Sequence, residues 1–105
     1  MSAFTLPADG PVIASEADAT DFIGEAMFSG ADLLVIPVSR LAPEFFRLST
    51  GLAGAILQKC TNYHLRVAIV GDISAFTEKS PPLKDFVRES NRHGEVRFIA
   101  TMAEL

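Results

Sequence analysis

The sequence predicts a single α/β domain: a mostly parallel sheet of four or five strands with three or four helices, stacked as a two-layer or three-layer sandwich. Three observations carry this expectation. Leu33-Leu34-Val35-Ile36 and Leu65-Arg66-Val67-Ala68-Ile69-Val70 are short, almost unbroken apolar runs rich in β-branched residues. Strands that are apolar at successive positions are covered on both faces, which implies a sheet centre with helices on each side. Stretches of helical character, each about ten residues long, separate these runs and imply right-handed crossovers between parallel strands. Finally, 105 residues suit one domain with one real core.

Taken in order, residues 1–11 hold Pro7, Gly10 and Pro11 around Asp9, a turn-rich opening with room for an edge strand at Ala3–Leu6. Val12-Ile13-Ala14 reads as a brief strand. Ser15 is placed to cap a helix from Glu16 to about Phe28, with Glu16 and Asp18 favourable to its dipole. Phe22, Ile23, Ala26 and Met27 form the apolar face of that helix, and Gly30 ends it. After the Leu33–Ile36 strand, Pro43 and Glu44 start a short helical segment carrying Phe45, Phe46 and Leu48. The two phenylalanines read as core. Ser49-Thr50 precede Gly51 as a cap for a second helix from Leu52 to about Thr61, whose buried face is Leu52, Ala53, Ile56, Leu57 and Cys60. The strand at Leu65–Val70 follows, then a polar loop over Ser74–Ser80 interrupted by Phe76. Ser80-Pro81 open a third helix with Leu83, Phe86 and Val87 facing inward, closed by Asn91-Arg92-His93-Gly94. Val96–Ala100 gives a fourth strand nearer an edge, and Thr101–Leu105 a final helical turn.

Composition excludes some functions. A net charge of −4 disfavours a nucleic-acid surface, which needs clustered Lys and Arg. The charge is uneven: residues 1–32 carry Asp9, Glu16, Asp18, Asp21, Glu25 and Asp32 with no Lys or Arg, whereas Arg40, Arg47, Lys59 and Arg66 face Glu44 alone in residues 33–71. Cys60 is the single cysteine, so an internal disulfide is impossible and a reducing compartment is expected. No signal-peptide pattern and no apolar run of about 20 residues is present, so the expectation is a cytoplasmic protein without membrane association.

Ligands of open α/β sheets bind beyond the carboxyl ends of the strands. That rule gathers Pro37-Val38-Ser39-Arg40, Gly71-Asp72-Ile73-Ser74 and Ala100-Thr101 at one rim. Asp72, following Gly71, has the chemistry to accept a ligand's hydrogen bond, bind a metal or act as a base; a loop aspartate that bonds nearby amides is the plainer alternative. Ser49, Thr50 and Gly51 open a helix, where free amides suit an anion and Arg40 or Arg47 would add charge. A plain cap with tight helix–sheet contact at Gly54 is the plainer reading there. No phosphate-loop, dinucleotide or nucleophile-elbow motif exists. His64, His93 and Cys60 lack metal-ligand spacing, so no metal, cofactor or catalytic residue is assigned. Glu89-Ser90-Asn91 are accounted for by helix termination.

The stretch Ser49–Lys59, with Asn62-Tyr63, Ala68–Asp72 and Phe86–Asn91, resembles the bacterial domain-of-unknown-function family numbered 4180. The resemblance covers roughly residues 12–105 and implies no catalytic residues to carry over. More distantly, the layout is similar to STAS domains, the SpoIIAA-like antagonists of anti-sigma factors. That similarity implies a mixed sheet of four or five strands used mainly for protein contacts. It also implies a phosphorylated serine at a helix start, for which Ser39 is the roughly corresponding residue and Ser49 or Thr50 are equally defensible. The antagonists' Asp-Ser-Gly pattern is absent at Ser39.

The sequence therefore leads to two functional expectations. One is a small regulatory or interaction module that binds a protein partner or small ligand without catalysis, with a homodimer as a variant. The other is an anion-binding enzyme using Asp72 and the Ser49–Gly51 amides.

Overall fold

The computed structural model describes residues 2–105. Strands β1 (Ala3–Thr5), β2 (Leu33–Pro37), β3 (Arg66–Val70) and β4 (Val96–Ile99) alternate with helices α1 (Glu16–Phe28), α2 (Leu52–Asn62), the single-turn α3 (Ser74–Thr77) and α4 (Pro81–His93). The sheet order is β1-β2-β3-β4, and every neighbouring pair is parallel. The two long apolar runs thus become the two inner strands, joined from Leu33 opposite Arg66 to Pro37 opposite Val70. The antiparallel pairing that a STAS-like mixed sheet implied is not present among the described strands. Val12–Ala14 contributes only a single bridge, Ile13 to Leu41.

Helix boundaries follow local chemistry. Ser15 accepts a hydrogen bond from the Asp18 amide at 3.1 Å, and the Asp18 carboxylate returns one from Ala14 N at 3.1 Å. These two bonds, to the N-cap Ser15 and to Ala14 before it, fix the start of α1. Ser80 Oγ caps α4 through Leu83 N at 3.2 Å, with proline in the first turn. Ser74–Ser80, expected as a polar loop, contains α3 because the Asp72 carboxylate takes Ser74 N at 2.9 Å and starts a turn. Phe76 then points inward and stacks on Phe46, ring centroids 4.4 Å apart.

One expectation is corrected. Helices do not lie on each side of the sheet. Leu34, Ile36, Val67, Ile69 and Phe98 point to one face and share a single core with Ala19, Ile23 and Ala26 of α1, Ala53, Ile56 and Cys60 of α2, and Leu83 of α4. The opposite face holds a separate cluster made of strand residues alone: Val35, Ala68 and Ile99, with Leu33 and Val70 beside them. The cause is topological. A parallel sheet whose order follows the chain repeats the same crossover each time, so uniform handedness stacks every helix on one side. Small side chains on the bare face are shielded by their neighbours and by the C-terminal turn Met102–Glu104. Arg97 Nη2 bonds Glu104 O at 2.9 Å, and Leu105 lines a small cavity together with Leu33 and Ala68.

Candidate binding site at the carboxyl end of the sheet

The exit from β2 is closed. Arg40 is 3% exposed, and its guanidinium donates to three main-chain carbonyls: Nε to Pro11 O at 2.8 Å, and Nη1 to Pro7 O at 2.8 Å and Asp9 O at 3.3 Å. It also lies 5.1 Å from the Phe22 ring centre, within cation–π range. Ser39 Oγ donates to Ala8 O at 3.0 Å. Gly10, at φ +140°, admits the guanidinium, since a Cβ there would stand 2.9 Å from Arg40 Cζ. Arg40 and Ser39 therefore bind residues 7–11 of their own chain.

The exit from β3 is open. Gly71 also has φ +140°, and a Cβ on it would meet Val38 at 2.9 Å, so only glycine lets the chain turn here. Asp72 follows as an exposed residue. The main-chain and side-chain groups of Ser74 hydrogen-bond to its carboxyl and hold it below the usual carboxylate range, so it is ionised at neutral pH. Gly71–Ser74 and Thr77 form one wall of a groove of about 610 Å³. Lys84 and Arg88, one turn apart on α4, form the other, over an apolar floor that includes Val87 and Ile99. Arg88 bonds Asp85 at 2.9 Å, and no ion pair among the described residues ties Asp72 to either cation. The groove thus carries negative and positive groups in one lining.

Ser49, Thr50 and Gly51 do not join this groove. Thr50 Oγ1 donates toward Glu44 O and Arg47 O, both at 2.8 Å, and accepts from Leu52 N at 3.2 Å. Gly51 serves its left-handed φ of +76°. A Cβ at Gly51 or Gly54 would meet nothing within 4 Å, so the expected tight approach to the sheet at Gly54 is absent. Ser49 lines a different depression, beyond α3. Cys60 is fully buried, and burial pushes its thiol up to about 11, far from a reactive thiolate. No group of three His, Cys, Asp or Glu suited to a metal occurs among the described residues, and no helix of the structure is long and apolar enough to cross a membrane.

Comparison with known proteins places the chain. The sequence model of "Domain of unknown function (DUF4180)" matches residues 1–105. The chain belongs to the DUF4180 family. No curated protein and no solved structure matches it.

Three residues of this DUF4180 groove escaped sequence reasoning. Lys84 and Arg88 drew no site assignment from the sequence, although their four-residue spacing places them on one face of α4. Asn91, assigned to helix termination, instead brackets the edge strand: Nδ2 donates to Phe98 O at 3.2 Å, and Oδ1 accepts from Phe98 N at 2.7 Å. Its amide stands in for the missing neighbour of β4 and fixes α4 against the sheet. The sequence signal was a lone amide five residues before an alternating strand.

Proposed function

We propose that this DUF4180 chain is a non-catalytic binding module whose ligand is a small molecule carrying both charges, an amino acid or a short peptide, held in the groove at the end of β3 and β4. The observation that carries the reading is that ionised Asp72, Lys84 and Arg88 line one groove together with apolar Val87 and Ile99. A ligand carboxylate suits the cations, an ammonium suits Asp72, and an apolar side chain suits Val87 and Ile99. Ser74 and Thr77 supply hydroxyls, but no histidine or second carboxylate lines the groove to activate one. Binding therefore has better support than turnover. A thermal-shift screen with the free amino acids and dipeptides is expected to raise the melting temperature for at least one, with the rise abolished in Lys84→Glu. A screen without any shift would rule the reading out.

A second reading, a protein-interaction module, draws on the bare sheet face. Leu33 and Val70 are partly exposed there over buried Val35, Ala68 and Ile99. This face, which Arg97 opposite Ala68 shares, can pair with itself about a two-fold axis, so the partner on this reading is a second copy of the chain. Light scattering at rising concentration decides it, a persistent monomer counting against the dimer. A distant STAS kinship, a cytoplasmic location and a regulatory role belong to the same proposal. Helices between successive strands favour the kinship and the single buried thiol favours a reducing compartment, whereas the all-parallel sheet departs from a STAS-like mixed sheet.

A further inference from the structure

The single-turn α3 divides two depressions. Ser74 and Thr77 line the groove described above, while Ala75 and Phe76 line another, of about 650 Å³, bounded by the 3-10 turns Pro43–Phe46 and Leu48–Thr50 and by the start of α4. Its chemistry is different. Phe76, half-buried, lies nearly parallel to buried Phe46, with 13° between the rings, so the accessible part of the Phe76 ring is a flat, rigid floor. Pro43 and Pro82 stand as walls that lose no side-chain entropy on binding. Arg47 and Lys79 are the charged lining residues, both exposed. Neither side chain makes a hydrogen bond or ion pair within the described residues, and no carboxylate lines the space. Ser49 adds a hydroxyl that bonds nothing else there.

A cavity of this size suits a small molecule. Its flat floor favours a ring, and two uncompensated cations with no lining acid favour negative charge. We infer that the depression between the 3-10 turns and α3 binds a small aromatic anion, with the ring against Phe76 and the carboxylate, sulfonate or phosphate between Arg47 and Lys79. This site is independent of the groove at the end of β3 and selects a different ligand, because that groove also carries Asp72.

Naphthalene-1-sulfonate, titrated into the ¹⁵N-labelled protein and followed by NMR, tests the inference. The amides of Ser49, Ala75, Phe76 and Lys79 should shift in a saturable manner. The double variant Arg47→Glu/Lys79→Glu changes only exposed side chains and should melt at the wild-type temperature, yet bind roughly tenfold more weakly or worse. Neutral 1-naphthol should bind the wild type roughly tenfold more weakly than the sulfonate, for the same reason. Unchanged affinity in the double variant would overturn the inference, as would no saturable shift at those four amides. Shifts confined to Gly71–Ser74 would overturn it as well while leaving the proposed function intact.

Discussion

Two loops leave the carboxyl ends of the two inner strands, and they have used their polar groups differently. After β2, Ser39 and Arg40 spend their donors on the carbonyls of residues 7–11. After β3, Asp72 bonds, among the described residues, only its neighbour Ser74 and lines a groove shared with Lys84 and Arg88. The loops are neighbours in the same sheet, yet one is structural and the other has binding capacity in hand. A charged residue at a sheet rim thus means little until its hydrogen bonds have been counted. The strand order adds to the contrast. Ligand crevices in open sheets form where the order reverses and adjacent connections diverge. Here the order never reverses, so the groove is built by α3 and α4 rather than by splayed crossovers.

The contrast can be broken at several places. Arg40→Ala is expected to have the largest effect, a loss of about 3 kcal/mol or more in urea unfolding, because it removes a buried cation and strands three carbonyls. Arg40→Lys should recover only part of it, lacking the planar fork. If Arg40→Ala unfolds like the wild type, the β2 exit is not the anchor described here. Gly71→Ala comes next at about 2 kcal/mol, from a positive φ and the collision with Val38. Adding Val38→Ala removes the Cγ2 contact but leaves the Val38 Cβ at 2.9 Å and the φ strain, so it should recover only part of the loss, and complete rescue would contradict the strained turn. Asn91→Ala should cost about 1–2 kcal/mol by releasing both main-chain groups of Phe98. Faster hydrogen exchange at the Phe98 amide, with β2 unaffected, would locate the damage.

The smallest effect on stability belongs to Asp72→Asn, since an asparagine oxygen can still accept from Ser74 N. Its signature is in the pH dependence. A carboxyl held below its usual range in the folded state favours folding above the ordinary carboxylate pKa of about 3.9, and that contribution disappears as pH falls through the folded value. Acid unfolding of Asp72→Asn should therefore show a shallower slope in that window, with neutral-pH stability little changed. An identical acid limb would mean that the Ser74 bonds do not hold the charge.

Much of the fold was legible in the sequence because its signals are local. Ser15, Gly30, Ser80, Pro81 and Gly94 mark helix ends through their own backbone chemistry, and the Leu33 and Leu65 runs announce buried strands. The one-sided helix layer was not legible from those runs. Apolar residues on both faces of a strand say that both are shielded, not whether a helix or merely neighbouring side chains provide the cover. The site was half legible. Gly71-Asp72 follows a central strand and stands out, whereas Arg40 and Thr50 look equally available until tertiary contacts 29–33 residues away, or local carbonyls, absorb them. Lys84 and Arg88 acquire meaning only when α4 docks beside the β3 exit, which Asn91 brings about through Phe98.

The central claim, that the β3 exit binds and the β2 exit does not, meets its most direct test in one NMR titration. The amino acid or dipeptide giving the largest thermal shift is added to the ¹⁵N-labelled wild type and to Lys84→Glu. Saturable shifts are expected at Gly71, Asp72, Ser74 and Arg88, with silence at Ser39 and Arg40 and loss of the shifts in Lys84→Glu. Shifts centred on Ser39 and Arg40, with Gly71–Ser74 unmoved, would contradict the claim.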